Sequence, residues 1–266
     1  MNSKYIAWFS CGITSAVACK IAVEEYGAEN VDLVYIKIDS AHQDNARFIA
    51  DCEKWIGKKI TIIRSGKYKD QFDVISKRRY INGPAGALCT TELKKEVRKK
   101  YEDENEFKGQ VFGFEFSRKE VNRAIRFSEQ YPSTNPKFPL ISRKITKANC
   151  ASIIEKVGIE LPEMYKLGFS NNNCIGCVKG GKGYWNRIRI NFPDHFQMMV
   201  DAEEEVGRSC INGKFLKDLD PMEGNGDKVI MPNCGNFCDL EFTETEDHRV
   251  SDIINGSVLF DQLELF

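Results

Sequence analysis

The sequence predicts an α/β protein built on a doubly wound, mainly parallel sheet, followed by a cysteine-rich C-terminal region. Three observations predict it. Short apolar runs alternate with amphipathic stretches from Tyr5 to Phe114, the first run breaks into Ser10, Cys11 and Gly12, and five of the ten cysteines (Cys174, Cys177, Cys210, Cys234 and Cys238) crowd the second half. The expected organisation is an α/β unit over 1–165, a cysteine-rich metal-binding region over 166–250 and a tail over 251–266.

Tyr5 to Phe9 reads as the first strand, and Thr14 or Ser15 can cap a helix that carries Ala16, Val17, Ala18, Ile21 and Ala22 and ends at Gly27. Val31 to Ile38 reads as a second buried strand, Asn45 to Ile56 as a helix stopped by Gly57, and Lys59 to Ile63 as a third strand. Asp70 to Ser76 and Thr91 to Tyr101 read as helices, and Gln110 to Phe114 as a fourth strand running through Gly113. Such alternation places ligands at the carboxyl ends of the strands. Beyond a helix over Lys147 to Val157 the pattern weakens. Gly and Asn gather from Asn171 to Gly183, and Phe192 to Val206 is the one clear helix that follows.

At roughly 150 residues per domain, 266 residues make one large domain or one domain with an appendage. Lys and Arg number 38 against 39 Asp and Glu, which excludes a globally basic nucleic-acid coat and leaves only local patches. Apolar runs such as Ile6 to Phe9 are far short of the about 20 residues that span a bilayer, so no membrane partner is expected. The first residues carry a single Lys and no apolar segment with a small-residue cleavage site, which predicts a cytoplasmic protein. Thiols in a reducing compartment point to metal or to chemistry rather than to disulfides.

Ser10-Cys11-Gly12-Ile13-Thr14-Ser15 lies between the first strand and the first helix. Backbone N–H groups at a helix start, a glycine allowing close approach and several hydroxyls make an anion cradle there, or simply a capped turn. The segment fits neither the GxxxxGK[ST] nor the GxGxxG pattern. It resembles the SGGxDS-type phosphate loop of the adenine nucleotide alpha-hydrolase superfamily, in particular the phosphoadenosine phosphosulfate (PAPS) reductase family, whose relatives include the PP-loop ATP pyrophosphatases. Cys11 stands where the pyrophosphatase form has Gly and Thr14 where it has Asp, a departure that favours the PAPS reductase branch.

Three more segments carry the resemblance. Ile38-Asp39-Ser40 is similar to the strand end where the family reads adenine and ribose, which implies that Asp39 accepts from one of them. Leu88-Cys89-Thr90-Thr91-Glu92-Leu93-Lys94 looks like the family's Cys-containing turn before a helix with a basic residue. A thiol at a helix start has its thiolate favoured by the dipole, and Lys94 can meet a phosphate. The stretch from Gly113 to Phe127 is similar to the strand-end glycine and Glu/Arg helix, with Arg123 and Arg126 three apart on one face; the bland alternative pairs Glu120 with Arg123. The resemblance thus implies an adenine nucleotide (ATP or PAPS), with Mg admitted beside it. Its phosphates would lie on Ser10, Gly12, Thr14 and Ser15, its outer anion on Arg118, Arg123 and Arg126, near Gly113. Cys89, Lys94 and Arg123 are the catalytic candidates.

Cys174-Ile175-Gly176-Cys177 is a Cys-x-x-Cys knuckle, and Cys234 and Cys238 form a second close pair. Two pairs can close a tetrahedral zinc site. The competitor is a [4Fe-4S] cluster on Cys89, Cys174, Cys177 and one of Cys234 or Cys238, the general placement in iron-sulfur relatives. Lys179, Lys182, Arg187 and Arg189, interleaved with Tyr184 and Trp185, make a basic and aromatic patch suited to nucleic acid or to the rim of a nucleotide site. Gln262-Leu263-Glu264-Leu265-Phe266 resembles the pentapeptide by which bacterial replication proteins dock on the sliding clamp.

The functions implied are a PAPS reductase-like enzyme in sulfur transfer or reduction, a pyrophosphatase that adenylates tRNA or DNA for thiolation, or a non-catalytic nucleotide-binding module that recruits a replication partner. A homodimer is left open. The C-terminal segment expected of thioredoxin-dependent PAPS reduction, Glu-Cys-Gly-Leu-His in type, has only Asn233-Cys234-Gly235-Asn236 as an echo.

Overall fold

Lys4–Trp8 forms β1, the middle of a five-stranded sheet whose other strands are β2 (Val31–Ile36), β3 (Ile60–Ile63), β4 (Phe107–Val111) and the two-residue β5 (Pro136–Lys137). A computed structural model describes residues 3–83 and 86–224. All pairings are parallel and the spatial order is β3-β2-β1-β4-β5, with Ala7 in register with Leu33 on one side and Val111 on the other. The chain winds outward from β1 to β3 and then resumes from β4 on the opposite side. The crevice at the carboxyl ends of β1 and β4 is therefore the topological switch point.

Side chains alternate across β1 and divide its neighbours. Ala7 and Phe9 join a core with α1 (Ile13–Tyr26), α2 (Asn45–Ile56) and α6 (Lys147–Lys156). Trp8 points the other way, edge-on to Tyr101, and donates to Gln110 Oε1 at 2.7 Å. Tyr101 belongs to α4 (88–104), and the Arg98 guanidinium of the same helix stacks on Phe127 of α5 (Arg118–Gln130). Helices cover both faces, as the doubly wound pattern requires.

Local punctuation matches the chemistry of its residues. Gly27 and Gly57 end α1 and α2 with φ of 84° and 83°. Asp70 caps α3 (Gln71–Arg78), accepting from Asp73 N–H at 2.9 Å, and Thr146 with Asn149 forms a capping box at α6. Helix α1 starts two residues earlier than a Thr14 cap would give. Gly12 is its N-cap, without a side-chain cap, and neither Thr14 nor Ser15 serves.

The second half holds its own core. Helix α3 packs with α7 (Lys182–Asn191) and α8 (Pro193–Val206) around Ile75, Ile81, Phe169, Trp185, Met199 and Leu216. Because α3 comes from the first half, the two cores do not separate at residue 165. No helix among the described residues is long and apolar enough to cross a membrane. Cys234, Cys238 and the pentapeptide Gln262 to Phe266 lie outside the described residues.

Candidate functional site

The loop after β1 is drawn tight by one hydroxyl. Ser15 Oγ accepts from Ser10 N–H (2.9 Å) and Ser10 Oγ–H (3.0 Å) and donates to Gly12 C=O (2.8 Å), so the buried Ser15 shapes the loop instead of facing a ligand. Cys11 has φ 59°, the left-handed region where glycine is at ease. Its thiol is buried and its pKa is driven well up by desolvation, with Tyr35 as hydrogen-bond partner. Ser10 is exposed and Thr14 half-buried, which leaves these two hydroxyls and the first turn of α1 for an anion.

Gly113 is reassigned by its surroundings. A Cβ there would stand 2.6 Å from Ser15 Cα, 2.7 Å from Ser15 N and 2.9 Å from Thr14 C, so this glycine lets the loop after β4 lie against the start of α1. It builds the cradle from behind. Tyr165 supports it from another side. Its buried phenol oxygen lies beside the backbone N–H groups of Ile13 and Asn172, and a Cβ at Gly12 would sit 3.4 Å from it.

Beside the loop, at the carboxyl ends of β1 and β2, lies a hollow of about 110 Å³ with Phe9, Ile36 and Ile38 as apolar wall and Asn45, Lys94, Asn172 and Cys174 as polar edge. Asn172 Nδ2 donates to Cys11 C=O at 2.7 Å and to Asn45 Oδ1 at 2.8 Å, and Asn45 Nδ2 donates to Tyr35 Oη at 3.2 Å. The other amide oxygen, Asn172 Oδ1, is buried without a hydrogen-bond partner. Asp39 does not share this hollow. It is exposed, and its N–H donates to Lys69 C=O at 3.1 Å. An orphaned acceptor, a helix start backed by a glycine and an apolar wall are features of a small-ligand site.

Cys174 lines the hollow, and Cys89 and Cys177 pack beside it outside the lining. Cys89 sits in the first turn of α4, just before a π segment over Thr91–Lys95, and it packs with both Cys174 and Cys177 neighbourhoods. The knuckle itself is well held. Tyr184 Oη accepts from Cys177 N–H (2.8 Å) and donates to Cys174 C=O (2.9 Å), Ile175 N–H donates to Ser40 C=O (2.8 Å), and Gln71 Nε2 donates to Ile175 C=O (2.8 Å). Among the described residues no three His, Cys, Asp or Glu side chains converge closely enough to hold a metal ion. Among the described residues the three thiols are neighbours, not a finished cage.

Burial opposes the helix start at Cys89. Desolvation, with Cys177 and Cys174 adding to it, pushes the thiol up to about 11, against the opposing pull of Lys179 and Lys94. Alkylation of Cys89 by iodoacetamide in the ligand-free protein is therefore expected to be slow at pH 7 and to rise about tenfold per pH unit towards 11. A rate already level at pH 8, read by peptide mass spectrometry, would contradict this.

The Arg helix and the basic patch are spent differently from their sequence reading. Arg118, Arg123 and Arg126 are exposed, and Arg123 pairs with Glu120 at 3.0 Å while stacking on Phe114, the bland alternative realised. Tyr184 and Trp185 are buried in the second core, so no stacking surface forms there. Lys182 pairs with Glu223, Arg187 donates to Gly168 C=O, and Arg189 donates to Leu219 C=O at 2.8 Å, leaving Lys179 as the exposed member. A wider hollow of about 650 Å³, edged by Lys179, Arg208 and Phe215, lies away from the strand ends.

Sequence reasoning passed over Tyr165, Asn172 and Lys147. Lys147 opens α6, donates to Ser170 C=O and to Asn171 Oδ1 (2.7 Å), and lies over the Tyr165 ring, while burial lowers its pKa and the Glu115 carboxylate opposes that effect. The one available signal was the Asn171-Asn172-Asn173 run just before the knuckle, which local rules read only as loop. No family model matches the chain, and no curated protein matches it either.

Proposed function

We propose that the chain is a PAPS reductase-like enzyme that binds an adenine nucleotide across the carboxyl ends of β1 and β2 and transfers or reduces sulfur beside it. The observation that carries this reading is the double membership of Cys174, which lines the hollow and belongs to the three-thiol group with Cys89 and Cys177. The base lies against Phe9, Ile36 and Ile38. Its phosphates run toward Ser10, Gly12 and Thr14, where the dipole of α1 favours negative charge. Lys94 lies at the edge between nucleotide and thiols, with its charge opposing the burial that raises the Cys174 pKa.

With a sulfonucleotide, the chemistry balances on the thiols alone. One thiol loses its proton and its sulfur attacks the sulfuryl group, and the nucleotide leaves with the bridging oxygen. A second thiol then displaces sulfite and closes a disulfide, so two thiols are oxidised as sulfate is reduced to sulfite. Release of pyrophosphate from ATP instead would select the adenylating alternative.

Calorimetry with ATP and PAPS is the direct test. Lys94→Ala is expected to weaken the preferred nucleotide by roughly 10- to 150-fold, the range for one charge-assisted hydrogen bond of about 1.5–3 kcal/mol. Ala41→Phe, which puts a ring into the hollow, is expected to abolish binding. Failure of both nucleotides to bind, or binding indifferent to both substitutions, would overturn the site.

A further inference from the structure

The segment from Tyr165 to Cys177 is tied at two points with almost nothing between them. At one end Asn172 holds the Cys11 carbonyl at 2.7 Å and Asn45 at 2.8 Å. At the other end Ile175 N–H is fixed to the Ser40 carbonyl at 2.8 Å, and Gln71 holds the Ile175 carbonyl. Only Asn173 and Cys174 lie between the anchors, a reach of three Cα steps of about 3.8 Å each. A displacement at the first anchor therefore cannot be absorbed before it reaches the knuckle.

The first anchor is also the place a ligand would move. The Cys11–Gly12 peptide is planar, so the hydrogen bond that fixes its C=O also fixes the opposite direction of the Gly12 N–H. That N–H belongs to the loop offered to the nucleotide phosphates, and Cys11 stands in a left-handed conformation, φ 59°, that a non-glycine residue leaves readily when its contacts change. We propose that Asn172 is a positioning residue that couples occupancy of the Ser10–Ser15 loop to the geometry of the Cys174–Cys177 knuckle. The inference rests on the nucleotide site proposed above and adds a connection between that site and the thiols. It gives a sulfur-handling enzyme a means of presenting its thiols only when the nucleotide is in place.

Cys177 is the proper reporter, because it lies outside the lining of the hollow and a nucleotide cannot simply shield it. With the full chain, saturating ATP or PAPS is expected to change the iodoacetamide alkylation rate of Cys177 by about 5-fold or more, a usual size for coupling between two sites. In Asn172→Ala, with nucleotide raised until calorimetry shows saturation of the variant, the change should fall below about 2-fold while circular dichroism is unchanged. Asn45→Asp keeps an acceptor for Asn172 Nδ2 and should retain the coupling, which guards against a trivial packing effect. Coupling in Asn172→Ala equal to that of the parent, or an unchanged Cys177 rate in a parent that binds nucleotide, overturns the inference and leaves the site standing. Absence of nucleotide binding in the parent overturns the site itself, and the coupling with it.

Discussion

Gly113→Ala is expected to cost about 3 kcal/mol of stability and to remove nucleotide binding together. The upper end of the usual overpacking range applies because the atoms in the way are backbone, not a side-chain tip that could swing aside. A methyl group at this position meets Ser15 Cα at 2.6 Å, Ser15 N at 2.7 Å and Thr14 C at 2.9 Å. Either the loop after β4 or the first turn of α1 must retreat, and α1 is held from its other side by Ala16, Ala22 and Ile13 in the main core. The loop that gives way is the one that frames the cradle. A cost of that size corresponds to a fall of roughly 6–12 °C in unfolding temperature for a chain of this length. Gly66→Ala is the control, since a Cβ there meets nothing within 4 Å and should be near neutral. If the two substitutions behave alike in thermal unfolding, the close approach is not what Gly113 is for.

The alternating half of the fold was legible because its signals are local. Apolar runs that end in Gly27 or Gly57 carry their own stop, and both glycines sit at positive φ in the structure. Strand β5 was invisible for the opposite reason. Two residues, Pro136 and Lys137, become a strand only because Val111 lies beside them. Helix α7 was misread as an exposed basic and aromatic patch, since nothing near Tyr184 and Trp185 announces the second core that α3 and α8 bring to them. Gly113 was recognised as special, yet its partner, Ser15, lies far away in the chain. The same holds for Cys89: a helix start is readable from sequence, whereas burial beside two other thiols is not, and burial decides its acidity. The loop, Lys94 and the Cys-x-x-Cys knuckle stand out by residue type, whereas the hydrogen bonds of Asn172 to Cys11 and Asn45 do not.

Glu203→Ala is expected to loosen the second core, by about 3–5 kcal/mol. Glu203 is fully buried in α8, and its two oxygens accept from the N–H groups of Cys210 and Leu216, both at 2.6 Å. It thereby staples the 210–216 turn to the helix, whose own end is closed by Gly207 N–H donating to the Glu203 carbonyl at 2.8 Å. Truncation orphans two buried amides at about 1–3 kcal/mol each and leaves a space where the side chain was. Glu203→Gln keeps the shape and one acceptor oxygen but turns an NH2 group toward an N–H, so its cost should be lower, about 1–2 kcal/mol. Because Trp185 lies in the same core, unfolding followed by its fluorescence should shift to lower denaturant for the Ala variant, more than for Gln. The knuckle depends on this core through Tyr184, which spans Cys174 and Cys177, so the same variant should also raise the alkylation rate of Cys177. An Ala variant within 1 kcal/mol of the parent, in an estimate where each orphaned amide alone costs about that much, would mean that water or a relaxed turn satisfies both N–H groups. The thiol geometry would then stand on Tyr184, Gln71 and Ser40 without help from α8.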